Sequence, residues 1–529
     1  MGLWNLYFIA KLYLYSLGKL TADWLLNILF AIALLLPVKR RWLRITRNVL
    51  TVIAGIALVY HESDMPPIGR AISQLPVLLT FTPEYMLELI GRVVSLSMAI
   101  SAALALLLYF VINRWIRVTT FVLIALVAVP LWQGAGTLIA NATSALAQNG
   151  NDGDNANSDE PRNDQVGSYD QQLAAFRSNE EGRHVNFTPL TTDANAQFDI
   201  IVVHICSLSW DDMDVAKMRT NPLFSRFDYV FTNFSSGASY SGPAAIRVLR
   251  ATCGQEAHKA LYDPAPPECH LFAQLAQAGY KPNALLNHNG RFDDFRGTVI
   301  KEIGVPGVTI APNDGLPVAM KEFDGSPLTG DYDVLARWYK QRIAAGDGPV
   351  ALYYNTVTMH DGNRMPGADA KLTSLQSYPI RLKSLLGDVD KLIDLVAQSG
   401  RKAVIVFVPE HGAALRGEDN QIAGMREIPT PNIVHVPVGV KVVGLPEGTE
   451  HAGGPVTIDT PTSFLALAQL LSNLVASSPF LPGAQPLAQY ATNLPQTRMV
   501  GENEGTVMMT TPTGYVIHTP DGVWVEGGK

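Results

Sequence analysis

The stretch Asp199-Ile200-Ile201-Val202-Val203-His204-Ile205 decides the fold. It is short, apolar and rich in β-branched residues, with no polar–apolar alternation. A strand with one wet face alternates, whereas a strand covered on both faces reads as a continuous apolar run. This stretch is therefore predicted to be an inner strand of a parallel sheet. Two further runs read the same way, Pro349-Val350-Ala351-Leu352-Tyr353-Tyr354 and Ala403-Val404-Ile405-Val406-Phe407-Val408. The last follows an amphipathic helix expected within 375–398 and closed by Ser399-Gly400. Strands alternating with helices predict an α/β domain, and such sheets bind ligands beyond the carboxyl ends of their strands.

The residues just past those ends carry chemistry. The first strand runs into Cys206-Ser207-Leu208-Ser209-Trp210, the second is followed by His360-Asp361-Gly362-Asn363, and the third leads into Pro409-Glu410-His411-Gly412. A thiol, a carboxylate and two imidazoles on one rim form a mixed S/N/O donor set, which favours zinc over magnesium or calcium. Each signal alone is weak. Cys206 at a strand end could equally be a small buried hydrophobe. Between these strands stands Ser239-Tyr240-Ser241-Gly242-Pro243-Ala244-Ala245-Ile246-Arg247. Pro243 suits the first turn of a helix, so Ser241 sits at a helix start, where free N–H groups and the macrodipole favour phosphate. A serine there is commonly a plain cap. Beside a metal it becomes a candidate nucleophile, because coordination activates a weak hydroxyl.

Outward from this domain, composition changes twice. Residues 148–159 have no apolar side chain larger than alanine and cannot bury enough surface to offset chain entropy. A flexible tether is expected over 146–195, dividing a membrane domain, 1–145, from a soluble domain, 196–529. The first part holds five apolar segments, roughly 3–20, 24–38, 49–61, 93–113 and 121–140, of which the second and third are short for a bilayer core of about 30 Å. No small-residue cleavage site separates the first two. Lys39, Arg40, Arg41, Arg44 and Arg47 lie between the second and third segments, and Arg114 and Arg117 between the fourth and fifth. The positive-inside tendency makes both loops cytoplasmic and sends everything after residue 145 outside.

The formal net charge of −7 leaves no basic field for nucleic acid. The three cysteines allow one pair and a spare. With Cys206 among the donors, Cys253 and Cys269 enclose a short loop. Outside the cytoplasm their disulfide persists, and closing a loop of about 15 residues contributes about 3 kcal/mol in the chain-entropy model.

Together these strings resemble the alkaline phosphatase superfamily, and within it the cellulose phosphoethanolamine transferases of the BcsG type. The resemblance rests on Ile205-Cys206-Ser207-Leu208-Ser209-Trp210, on the Ser239 to Arg247 string, on Phe323-Asp324-Gly325-Ser326-Pro327, His360-Asp361-Gly362-Asn363, Pro409-Glu410-His411-Gly412 and Val436-Pro437-Val438-Gly439-Val440-Lys441. It implies a mixed or parallel sheet flanked by helices, with zinc on Cys206, Glu410, His411 and Ser241, the last also the nucleophile. Tyr240 and His360 would line the phosphate, His360 as acid or base, and Arg426 would contact phosphate or substrate. The Cys253–Cys269 disulfide is expected on this ground too. The implied partners are phosphatidylethanolamine as donor, cellulose as acceptor, the inner membrane and subunits of a cellulose synthase complex. At one position the chain departs, since Arg364 stands where a second histidine is expected. His435 reads as a satisfied histidine near a strand, while His288 is open as a substrate-side residue. The rival readings are a related transferase acting on lipid A or another glycan, and a non-catalytic scaffold subunit.

Overall fold

A computed structural model describes residues 2–16, 20–63, 78–94, 96–132, 168–346, 348–418, 421–446 and 454–527. The strands in chain order are β1 (Asp199–Cys206), β2 (Tyr229–Ser235), β3 (Lys281–Leu286), β4 (Val318–Lys321), β5 (Pro327–Thr329), β6 (Val350–Thr356), β7 (Ala403–His411), β8 (His435–Val443), β9 (Val456–Ile458), β10 (Val500–Asn503), β11 (Thr506–Thr511), β12 (Gly514–His518) and β13 (Trp524–Glu526). Seven form one sheet in the order β3-β6-β1-β7-β8-β2-β9. Strands β3, β6, β1 and β7 run parallel, and β8 is antiparallel to both of its neighbours.

Every residue of β1 is buried, as its unbroken apolar run requires. Successive side chains point to opposite faces. Ile200 and Val202 join a core with helices Ser241–Leu249, Leu271–Ala278, Phe295–Ile303 and Phe464–Ala476. Ile201 and Val203 join the opposite core with helices Asp331–Ala344 and Ser374–Gln398. Each such buried aliphatic side chain stabilises the fold by about 1.5–3 kcal/mol relative to exposure. The helix expected within 375–398 is Ser374–Gln398. It opens on a reciprocal capping box in which Thr373 accepts from the Gln376 backbone and Gln376 reaches back.

The expected tether needs correction. Of 146–195, residues 146–167 lie outside the described residues, but 168–195 are not featureless. Ser168 caps a helix, Tyr169–Glu180, whose Phe176 packs with Val500, Met509 and Val516 of the antiparallel ribbon β10–β13. The polar composition of this segment concealed three well-spaced apolar contacts, Tyr169, Leu173 and Phe176.

The amino-terminal unit contains helices Trp4–Ser16, Trp24–Leu35, Arg41–Glu62, Leu96–Trp115 and Val118–Trp132. Among the described residues, Arg41–Glu62 and the helix ending at Trp115 are long and apolar enough to cross a membrane. The segment expected at 49–61 thus begins earlier, at Arg41, because the basic residues before it are good helix formers. The segment expected at 121–140 is described as far as Trp132. Lys11 pairs with Glu62 and donates to Asn27, a buried polar contact among the apolar helices.

The chain divides into two compact units, and residues Phe81–Leu89 belong with the sheet domain rather than with the helices on either side of them in sequence.

Candidate active site

The site is built where β1 and β7 end side by side. Their register runs Ile205 opposite Pro409 and then Cys206 opposite His411, so the pairing slips by one residue and Glu410 is the extra one. In a regular strand Glu410 and His411 would point to opposite faces. A bulge re-aims side chains, and Pro409, which has no N–H to donate, is tolerated beside it. The ligating atoms of Cys206, Glu410 and His411 consequently lie within 4.8 Å of one another, and all three side chains are fully buried. Cys206 Sγ stands 4.0 Å from His411 Nε2.

Ser241 joins them. It is the first residue of helix Ser241–Leu249; Tyr240 occupies the cap position without a side-chain capping bond. The Ser241 hydroxyl donates to Cys206 Sγ at 3.2 Å. Tyr240 donates to Glu427 Oε1 at 2.9 Å, and the Arg426 guanidinium lies 5.1 Å from the Tyr240 ring centre. Arg426 Nη1 donates to Ser207 Oγ at 3.0 Å, one residue from the thiol. His360 Nδ1 lies 2.6 Å from the Asp361 carbonyl, and its ring rests on Phe323 with centroids 5.0 Å apart.

Burial governs the protonation of this cluster. It pushes the Cys206 thiol well up, with the Glu410 charge adding to it, and raises the Glu410 carboxyl to about 7. It holds His411 well below its ordinary value, with Arg426 adding to that, and lowers His360 to about 4, again with Arg426 as the second cause. Among the described residues Glu410 Oε2 has no hydrogen-bond partner, and His411 Nε2 is 3.6 Å away. An orphaned carboxylate oxygen beside a thiol and an uncharged imidazole is costly as it stands. A divalent cation would satisfy all three, and sulfur with nitrogen and oxygen donors fits zinc. The residues present therefore fit the metal that the sequence implied.

Several residues of the site were missed in the sequence. Asn355, just past the predicted second strand, donates to Glu410 Oε1 at 2.6 Å, and its Oδ1 lies 3.0 Å from His288 Nε2. His288 thus reaches the cluster through Asn355, on the Oε1 side of Glu410. Asp212 accepts from the Ala413 backbone at 2.7 Å and from Ser209, tying the two strand ends together. The only hint of Asn355 was a polar pair, Asn355-Thr356, closing an apolar run. His435 lies 2.7 Å through Nε2 from the Thr232 carbonyl, away from the cluster. Cys253 and Cys269 form a disulfide, and Cys206 is free.

Two family models match, cellulose biosynthesis protein BcsG N-terminal domain over residues 4–131 and cellulose biosynthesis protein BcsG C-terminal domain over 152–524. The chain belongs to the BcsG family. Cellulose biosynthesis protein BcsG of Salmonella typhimurium is 35% identical over 543 residues, covering 99% of this chain and 95% of the relative. Its Escherichia coli counterpart is 34% identical, with the same coverage of both chains. Similar solved structures include the zinc complex of the periplasmic EptC domain from Escherichia coli, at 15% identity and TM-score 0.43, covering 60% of this chain and 94% of that one. Another is the integral membrane lipooligosaccharide phosphoethanolamine transferase A from Neisseria meningitidis, at 15% identity and TM-score 0.40, covering 88% and 94%.

Proposed function

We propose that this BcsG-family chain transfers phosphoethanolamine from phosphatidylethanolamine to the glucosyl 6-hydroxyl of nascent cellulose, through a phosphoserine-type intermediate on Ser241. The single observation that carries this reading is the Ser241 hydroxyl at 3.2 Å from Cys206 Sγ, at the edge of the buried Cys206–Glu410–His411 cluster.

Cys206, Glu410, His411 and Ser241 would hold zinc, which when bound supplies Lewis acidity that lowers the proton affinity of the serine hydroxyl and offsets phosphoryl charge. Ser241 Oγ forms a bond to phosphorus while the bond from phosphorus to the diacylglycerol oxygen breaks, and the serine proton passes by way of His360 to that departing oxygen. The glucosyl hydroxyl then attacks the same phosphorus, its proton passes to His360, and Ser241 Oγ leaves. Burial and Arg426 keep His360 in its neutral form, the form that has a free nitrogen to accept a proton. Arg426, next to Ser207 and Tyr240, faces the equatorial phosphoryl oxygens. In this reading the amino-terminal helices are a multi-pass inner-membrane anchor that brings the site to its lipid donor, and the sheet domain lies on the periplasmic side, alongside cellulose synthase subunits.

The test is covalent capture. Wild-type protein given phosphatidylethanolamine labelled in its headgroup should retain label on Ser241, and Ser241→Ala should retain none. Label surviving in Ser241→Ala sinks the nucleophile. Solid-state NMR of polymer made with and without the protein then tests the acceptor, and label found only on lipid A or another glycan would overturn cellulose.

A further inference from the structure

Arg364, four residues after His360, has a partner far away in sequence. Its Nη2 lies 2.7 Å from Glu88 Oε2, and the Glu88 side chain is only 6% exposed. Glu88 also accepts from the Ser374 backbone N–H at 3.1 Å, at the positive end of helix Ser374–Gln398. From the same segment, Tyr85 donates to Asp361 Oδ2 at 2.9 Å in a buried bond. The Thr82 N–H bonds the Phe323 carbonyl at 2.9 Å, and Phe81 packs on the edge of Phe323, the ring that carries His360.

These contacts converge on one turn, His360 to Arg364. Gly362 at its centre has φ +86°, and a Cβ there would stand 2.9 Å from the Tyr85 ring, so the turn and the segment are fitted to each other. Helix Ser374–Gln398 holds the turn from the other side through Arg381, which donates to the Thr358 and His360 carbonyls at 2.6 and 3.0 Å. The Asp361 charge is also felt by Arg426.

We infer that Tyr85 and Glu88 are positioning residues of the phosphoryl-transfer site. Though they lie in sequence between the apolar helices, they lock the His360–Arg364 turn and so aim His360 at the atoms around Ser241. Arg364 is the receptor for Glu88 in that turn. The inference rests on the transferase reading and adds to it a requirement for a segment outside 196–529.

The experiment uses the full chain and follows single-turnover capture of headgroup-labelled phosphatidylethanolamine. It compares wild type with Glu88→Arg, Arg364→Glu, the combined swap and Tyr85→Phe. Misplacing a reacting group by about 1 Å costs on the order of a hundredfold, so each reversal should lower the maximal capture rate by about 10- to 100-fold. The lipid concentration for half-saturation should stay within about twofold, as expected when ground-state binding is untouched. Zinc content should equal wild type, and the combined swap should restore most of the rate. Tyr85→Phe, which removes one hydroxyl and keeps the ring, should cost about fivefold in rate, in line with one hydrogen bond. Should the reversals unfold the chain, Tyr85→Phe decides the matter. Wild-type rate in Tyr85→Phe, or a loss confined to half-saturation, overturns the positioning role. Wild-type protein that captures no label at all overturns the transferase reading, and this inference with it.

Discussion

The two ends of β1 hold buried charge in opposite ways. At the start of the strand, Asp199 is 2% exposed and fully answered: Arg342 donates to both its oxygens at 2.9 to 3.3 Å, and the Val350 N–H adds a third donor at 2.9 Å. At the far end, Cys206, Glu410 and His411 are equally buried, yet Glu410 Oε2 has no hydrogen-bond partner among the described residues and burial holds the thiol in its protonated form. Both clusters fasten β1 to neighbouring elements. Only one is left electrically incomplete by the protein itself. Burial of polar groups thus does not mark a site; a deficit of matching groups does, because a structural pair must close its own account of hydrogen bonds and charge.

The strongest way to test that contrast is Arg342→Ala. It strands a buried carboxylate and should destabilise the chain by about 3–5 kcal/mol in denaturant unfolding, with zinc content unchanged. A loss below about 1 kcal/mol would mean that the Asp199 end is no more complete than the other. Glu410→Gln should do the reverse. If Glu410 is the metal donor proposed above, this change should weaken zinc by about a hundredfold or more in chelator competition, while the metal-free protein is no less stable than wild type. Metal-free Glu410→Gln unfolding well below wild type would show that the carboxylate serves the fold. Asn355→Ala is expected to weaken zinc less, by about 10- to 100-fold, since it only orients Glu410. Unaltered zinc affinity in that variant removes Asn355 from the site.

The smallest effect extends the comparison to a third buried carboxyl. Glu322 is 5% exposed, and its Oε1 has no partner among the described residues. Burial raises it to about 8, with the Asp324 charge adding to the shift. A raised acid keeps its proton in the folded state after the unfolded chain has lost it. Its contribution is therefore present below the unfolded value near 4.5 and is lost as pH rises through 8. Glu322→Gln should leave the melting temperature unchanged at pH 4 and raise it by about 2 °C or more at pH 8.5. No gain at the higher pH would show that an unanswered carboxyl is not costly at this position.

The strand runs at 199–205, 349–354 and 403–408 were legible because inner strands are written as unbroken apolar residues, and the helix between them by its 3.6-residue period. The antiparallel ribbon β10–β13 and the helix Tyr169–Glu180 that packs on it were not, since their apolar contacts are few and spread through polar sequence. At the site, Cys206, Glu410 and His411 could be proposed as donors from residue type and strand-end position, and Ser241 as a nucleophile from its place at a helix start, whereas Ser241 as a fourth donor rested on the resemblance alone. Asn355 could not be proposed, because an asparagine after a strand has no chemistry of its own until its partner is known.

By itself the sequence determined which segments are inner strands and which residue types gather at their carboxyl ends, because burial and backbone period are local properties of the chain. Only the tertiary structure decided how those residues meet. The one-residue slip beside Pro409, the Asn355 bond to Glu410 and the grip of Tyr85 and Glu88 on the His360 turn each join positions distant in the chain. Such contacts depend on register and on distances across space, which no local pattern encodes.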